Sequence, residues 1–215
     1  MIRLDILSDP ICPWCYIGKT HLDRALAEAG NPFEIAWHPF QLNPDMPPGG
    51  MDRRAYLETK FGGRERAAAV YARIDEAACE AGLSIDWGAI GRTPNTLDAH
   101  RLILWSALER RQDAIVDALF KAYFGEGRDI GDVAVLADIA SEAGMDREVI
   151  ERLLGGTTDV EEVRLRDAHA RERGVQAVPT FVVAERHVVP GAQPPALWKQ
   201  VIGEVSGAPE GIRVS

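Results

Sequence analysis

Ile2-Arg3-Leu4-Asp5-Ile6-Leu7-Ser8-Asp9-Pro10-Ile11-Cys12-Pro13-Trp14-Cys15-Tyr16-Ile17-Gly18 is the run around which the other segments of the chain arrange themselves. Ile2, Leu4 and Ile6 recur with the period of a strand, Pro10 ends it, and Pro13 suits the first turn of a helix. The two cysteines therefore fall at a strand-to-helix junction. A thiol at a helix start meets unpaired backbone N–H groups and the positive end of the helix dipole, and both favour the thiolate. Such surroundings lower a cysteine pKa from about 8.5 into the range of roughly 3.5 to 7.5. Cys12 is the expected nucleophile, and Cys15, one turn later, is placed to attack a mixed disulfide on Cys12 and release the product. The competing reading is half of a zinc site, which needs two more ligands at short spacing. The only other cysteine is Cys79 and no His-x3-His pair exists, so no metal is expected.

Outward from this run, Leu22, Ala25, Leu26 and Ala29 continue at helical spacing until Gly30-Asn31-Pro32. Phe33, Ile35 and Trp37 then alternate into a second strand ending at Pro39, which gives a β-α-β unit with parallel strands and a right-handed crossover. After the Pro/Gly-rich link 44–50 the pattern turns helical. Helices are expected over 53–60, 64–80, 97–110, 113–124, 133–142, 147–154 and 160–173, with glycines between them and Thr158/Glu161 spaced as a capping box. Alternation returns in 180–183 and 187–189, a hairpin about Ala184-Glu185-Arg186. A last helix follows Pro194-Pro195, carrying Leu197, Val201 and Val205 on one side.

The ends thus supply β-α-β and β-β-α, the parts of a thioredoxin-type sheet, an α/β fold interrupted by a large all-helical insertion. The expected division is 1–44 with 175–215 as the thioredoxin-like domain and 45–174 as the insert. Cys12-Pro13-Trp14-Cys15 after a first strand, together with Val178-Pro179-Thr180-Phe181, resembles the DsbA-like family of thioredoxin-fold oxidoreductases. Ser8-Asp9-Pro10, Pro39-Phe40-Gln41-Leu42-Asn43-Pro44, Phe61-Gly62-Gly63, Asn95-Thr96 with His100-Arg101-Leu102, and Gly191-Ala192-Gln193-Pro194 are similar to its FrnE-like branch.

That resemblance implies a cis Val178–Pro179 bond beside the cysteine pair, with Pro13, Trp14, Val178 and Pro179 contacting substrate and Asn95, His100 and Gln193 lining the site. A proline next to the sulfurs brings no N–H to leave unsatisfied, and the Val178 backbone is free to pair with an extended substrate. It implies a thiol-disulfide oxidoreductase acting on polypeptides or small thiols, with no bound cofactor and glutathione as a redox co-substrate. Trp14 cannot carry the positive charge of a histidine that some relatives hold in that slot. Less stabilisation of the thiolate form means a weaker oxidant.

Three departures from relatives stand out. Ile6 occupies the place of the buried acid that thioredoxins carry six residues before the nucleophile, so the base for Cys15 is open, Asp9 reading equally as turn former or proton carrier. The second cysteine motif of some FrnE-like proteins is missing. Gln193 stands where glutathione-dependent isomerases and kappa transferases, the alternative within this superfamily, place an acid; those enzymes also put serine at the position of Cys12. Cys79, in Ala77-Ala78-Cys79-Glu80-Ala81, reads as a buried inert thiol, and His21, His38, His169 and His187 as ordinary surface or interface residues.

The 215 residues, 46% hydrophobic, are enough for a substantial core. A net charge of −9 without a basic stripe disfavours nucleic acid, and no run has the length of a membrane span. No leader-like segment precedes the first strand, and a lone Cys-x-x-C suits a cytoplasmic location. Oligomeric state is open, a homodimer included.

Overall fold

The computed structural model describes residues 1–207; the last eight residues of the expected carboxy-terminal segment lie outside the described residues. β1 (Ile2–Ser8) is central in a four-stranded sheet of order β2-β1-β5-β6. It runs parallel to β2 (Phe33–Pro39) and antiparallel to β5 (Thr180–Val183), which pairs antiparallel with β6 (His187–Pro190). Helix α1 (Pro13–Ala29) makes the crossover between the two parallel strands.

The register separates two faces. Leu4 and Ile6, fully buried, share one with Phe181 and Val183. Helix α9 (Pro195–Gly207) packs beside α1 on that face and stacks Trp198 on Phe181 at 4.7 Å. Arg3, Asp5 and Leu7 point to the other, where α8 (Val160–Glu172) lies against β2.

Between β2 and β5 come α2 (Arg53–Phe61), α3 (Arg64–Glu80), α4 (Leu97–Ser106), α5 (Gln112–Phe120), α6 (Val133–Glu142) and α7 (Arg147–Leu154). Two features here exceed the sequence reading. Met51–Asp52 (β3) and Arg92–Thr93 (β4) form a two-residue antiparallel ladder, too short to leave an alternating pattern. The expected helix 113–124 changes at Lys121–Gly125 to a π-helical turn.

Three local expectations need correcting. The capping box does not form: α8 starts at Asp159 in a left-handed conformation (φ 58°) without a side-chain cap, and the Thr158 carbonyl instead accepts from Arg101 Nε. The helix expected over 97–110 ends at Ser106, the chain continuing in turns to a left-handed Arg110. Cys79 is exposed; α3 buries Ala67, Ile74 and Ala78, and the next position lies about 100° round the helix from that stripe.

One hydrophobic cluster runs from the sheet (Leu4, Ile6, Phe181) through α1 (Leu22) to the inserted helices (Leu102, Leu119, Ile150). Tyr16 of α1 stacks on Phe120 and Phe124 at 5.1 and 5.7 Å, and Phe124 meets Trp87 edge-on. A buried Lys19 ties α1 to α5 through Asp113 and Asp117, with Asp23 of its own helix as third partner. Burial lowers its pKa, but the three carboxylates outweigh that and hold it above the usual lysine range.

Candidate dithiol site

Cys12 is the N-cap of α1 (φ −88°, ψ 112°), with no side-chain cap bond and Pro13 just inside the helix. Its carbonyl accepts from the N–H groups of Cys15 and Tyr16 at 3.0 and 3.2 Å, the first turn. Both cysteines are free thiols, Cys12 4% and Cys15 1% exposed, while Trp14 between them stands out at 38%. The Cys12 thiol donates to the Val178 carbonyl at 3.6 Å across 166 residues of sequence. The Val178–Pro179 peptide is cis. Gly18 lets α1 approach this loop: a Cβ there would lie 3.1 Å from the Pro179 ring and 3.3 Å from Ala192 Cα.

Burial, reinforced by the neighbouring Cys12, pushes the Cys15 thiol well up; the Ser8 hydroxyl and the Asp9 backbone N–H facing the sulfur oppose the shift only in part. Asp9 itself is fully buried. Its carboxylate accepts from the Ile11 N–H at 3.3 Å and the Leu42 N–H at 2.6 Å, so it joins the turn before the cysteines to the strap after β2. Burial, against these hydrogen bonds, pushes its pKa up to about 6.

His100 of α4 places Nε2 3.9 Å from an Asp9 carboxylate oxygen, and this buried nitrogen has no hydrogen-bond partner among the described residues. Burial pulls its pKa down to about 4, so the imidazole is neutral near pH 7. Ser8 and His100 share a cavity of about 10 Å³, close to the space one water molecule needs.

Asn95 sits one residue ahead of the helix cap: its side-chain oxygen accepts from the Leu97 N–H at 2.9 Å, and its amide donates to the Met46 carbonyl. It fixes the strap against α4. Gln193 is turned to its own loop, donating to the Pro190 carbonyl, while its backbone carbonyl meets His21 Nδ1 at 3.0 Å. His38 also has a partner that linear spacing did not reveal, Asp5, at 2.6 Å across neighbouring strands. The strap's hold on Asp9, and Gly18 as the point of close approach, were not found from sequence, because Leu42 and Ala192 are distant in the chain. Among the described residues, no group of three His, Cys, Asp or Glu converges as a metal site.

A paired thiol at the start of the first helix, facing a proline loop at the head of a late hairpin on a β-α-β/β-β-α sheet, is the architecture of thioredoxin-type proteins. The DsbA-like thioredoxin domain matches residues 3–203, and the chain belongs to that family. It is 25% identical over 209 residues to YwbO, an uncharacterised protein of Bacillus subtilis (strain 168), covering 94% of this chain and 96% of that one. A probable DsbA oxidoreductase from Streptomyces coelicolor superposes with a TM-score of 0.87 at 28% identity, over 100% of this chain and 94% of that chain. The fold is shared as well with the cytosolic disulfide reductase DsbM of Pseudomonas aeruginosa, solved with GSH (TM-score 0.69, 18% identity, 95% and 98% covered). A 2-hydroxychromene-2-carboxylate isomerase also shares it (TM-score 0.71, 18% identity, 95% and 96% covered). No helix among the described residues is long and apolar enough to cross a membrane.

Proposed function

We propose that the chain is a FrnE-like thiol-disulfide oxidoreductase in which Cys12 is the nucleophile and Cys15 the resolving thiol. The observation that carries this reading is the Cys12 thiol held at the start of α1 against the Val178 carbonyl. Cys12 as thiolate attacks one sulfur of a substrate disulfide; the other sulfur leaves and takes a proton. Cys15 then loses its proton and attacks Cys12 Sγ, the second substrate sulfur departs as thiolate, and a Cys12–Cys15 disulfide remains. Two equivalents of a thiol such as glutathione restore the dithiol. The reverse sequence oxidises a substrate dithiol.

Trp14 and Pro13 form one lip of the site and Val178 with Pro179 the other, where an extended polypeptide or a small disulfide pairs with the Val178 backbone. Asp9 is the group proposed to take the Cys15 proton, by way of the adjoining Ser8 hydroxyl that faces the sulfur. A carboxylate poised near pH 6 both accepts and returns a proton close to neutrality. A cytoplasmic location belongs to the same proposal.

The test is trapping. Cys15→Ser, mixed with oxidised glutathione or a disulfide-bearing protein, should accumulate a mixed disulfide on Cys12 that intact-mass analysis detects, while Cys12→Ser accumulates none. If Cys15→Ser traps nothing, the two-thiol mechanism fails. Glutathione-dependent isomerisation that survives Cys15→Ser, without any disulfide exchange by the native chain, would give the site to the isomerase-like alternative.

A further inference from the structure

A broad cavity lies on the sheet face away from the α1–α9 pair, and the dithiol takes no part in its lining. It is a trough of about 660 Å³ between the second half of α8 and strands β1, β5 and β6. Its size is within the range of sites for small organic ligands. The floor is apolar: Leu7, Val175, Val182 and Val188, the last 61% exposed although it is a large aliphatic side chain.

The walls are basic on a chain whose net charge is −9. Arg3 of β1, Arg166 and Arg173 at α8 and its end, and Arg186 in the hairpin turn face the trough, against two acids, Asp5 and Glu185. Asp5 is taken by Arg3 at 2.8 Å and by His38 at 2.6 Å, and Arg166 by Glu162 at 2.7 Å. Arg173 and Arg186 form no ion pair with any described residue, so two guanidinium groups look across an apolar floor without a carboxylate of their own.

We infer that the trough is a binding site, separate from the dithiol, for an amphipathic organic anion: an apolar body on the Val182–Val188 floor carrying a carboxylate or phosphate held by Arg173 and Arg186. Guanidinium forks match both anions in bidentate geometry, and the low-dielectric floor strengthens the charge contact. Neither half suffices alone. Inorganic phosphate lacks the body, and a neutral aromatic lacks the charge.

Isothermal titration of the full chain with 1-naphthyl phosphate tests this. Saturable one-to-one binding is expected, weakening with added salt and by at least about tenfold in Arg173→Glu/Arg186→Glu, where both contacts become repulsive. Inorganic phosphate and 2-naphthol should each bind at least about tenfold more weakly, since each keeps one half of the contact. Val188→Glu, at an exposed position, puts an acid on the floor and should weaken binding comparably; it decides the matter if the double variant fails to fold. Alkylating Cys12 with iodoacetamide should leave the affinity unchanged. No saturable binding, equal affinity in the variants, phosphate alone binding as well as the naphthyl ester, or loss on Cys12 alkylation would each overturn the assignment. The last would move the probe to the dithiol and leave the redox reading standing.

Discussion

Asp9 and His100 sit 3.9 Å apart, both out of contact with solvent, and burial shifts their pKa values in opposite directions, to about 6 and about 4. Folded Asp9 takes up its proton near pH 6, whereas an unfolded aspartate holds its charge down to about 3.9, so this residue makes the fold more stable as pH falls through that window. An unfolded histidine protonates near about 6.5 while folded His100 resists until about 4, so this residue makes the fold less stable over nearly the same range. Each shift is worth roughly 3 kcal/mol, and in the native chain the two largely cancel. In Asp9→Asn only the histidine contribution survives. Its stability from urea denaturation should fall, relative to the native chain, by roughly 3 kcal/mol between pH 6.5 and pH 4. His100→Gln should show the opposite slope; parallel profiles for all three proteins would refute the assignment of the shifts. At the neighbouring exposed position, Trp14→His places a cation near the Cys12 sulfur. A glutathione redox titration should then give a potential more oxidising by on the order of 30 mV.

At the scale of elements, two contacts hold the site together. α1 approaches the Pro179 loop only because residue 18 has no side chain, since a Cβ would stand 3.1 Å from the Pro179 ring. Gly18→Val should cost about 1–3 kcal/mol in denaturant and push the Val178 carbonyl away from Cys12, slowing mixed-disulfide formation measured by stopped flow. Unchanged kinetics with unchanged stability would show that the approach is unimportant. The second contact is Arg101 of α4, 1% exposed, which donates to the Leu153 and Gly156 carbonyls at 2.6 and 2.9 Å and to the Thr158 carbonyl at 2.7 Å. These carbonyls lie at the end of α7 and in the turn that follows, where the helix ladder runs out, and Asp98 at 2.7 Å balances the charge. A lysine has no planar fork to reach them together. Arg101→Lys should therefore lose about 2–3 kcal/mol of stability, read from the denaturation midpoint, with the dithiol chemistry intact in the molecules that fold.

For the molecule as a whole, the decisive fact is that the apolar cluster does not stop where the helical segment begins: Ile6 and Phe181 belong to the same cluster as Leu119 and Ile150. The Tyr16–Phe120–Phe124 stack and the Lys19 cluster add polar and aromatic ties across that junction. Sheet and insert should accordingly unfold in one step, with tryptophan fluorescence and far-ultraviolet circular dichroism giving coincident urea transitions. Two separated transitions would show that 45–174 behaves as an independent domain. The same packing gives the sheet its asymmetry: one face is closed by α1 and α9, while α8 covers the other only in part and leaves the basic trough.

Local patterns were sufficient for the thioredoxin-type order of strands and helices, the thiol pair at the start of α1 and its likeness to the DsbA family, because period, proline placement and Cys-x-x-C spacing act over a few residues. Most boundaries of the inserted helices followed from the same short-range signals. The proline loop beside the sulfurs followed from the resemblance, but the polar groups around them were not legible. Asp9 read as turn former or proton carrier; its carboxylate does hold the local turn at the Ile11 N–H, but its second partner, the Leu42 N–H 33 residues away, left no local signal. His38 looked unpaired until parallel pairing of β1 and β2 brought Asp5 beside it. Cys79 was misplaced because an alanine-rich helix does not announce which of its sides meets the core. Burial and charge partnership depend on where distant segments come to lie, and packing alone brought a buried aspartate and a buried histidine within 3.9 Å of each other.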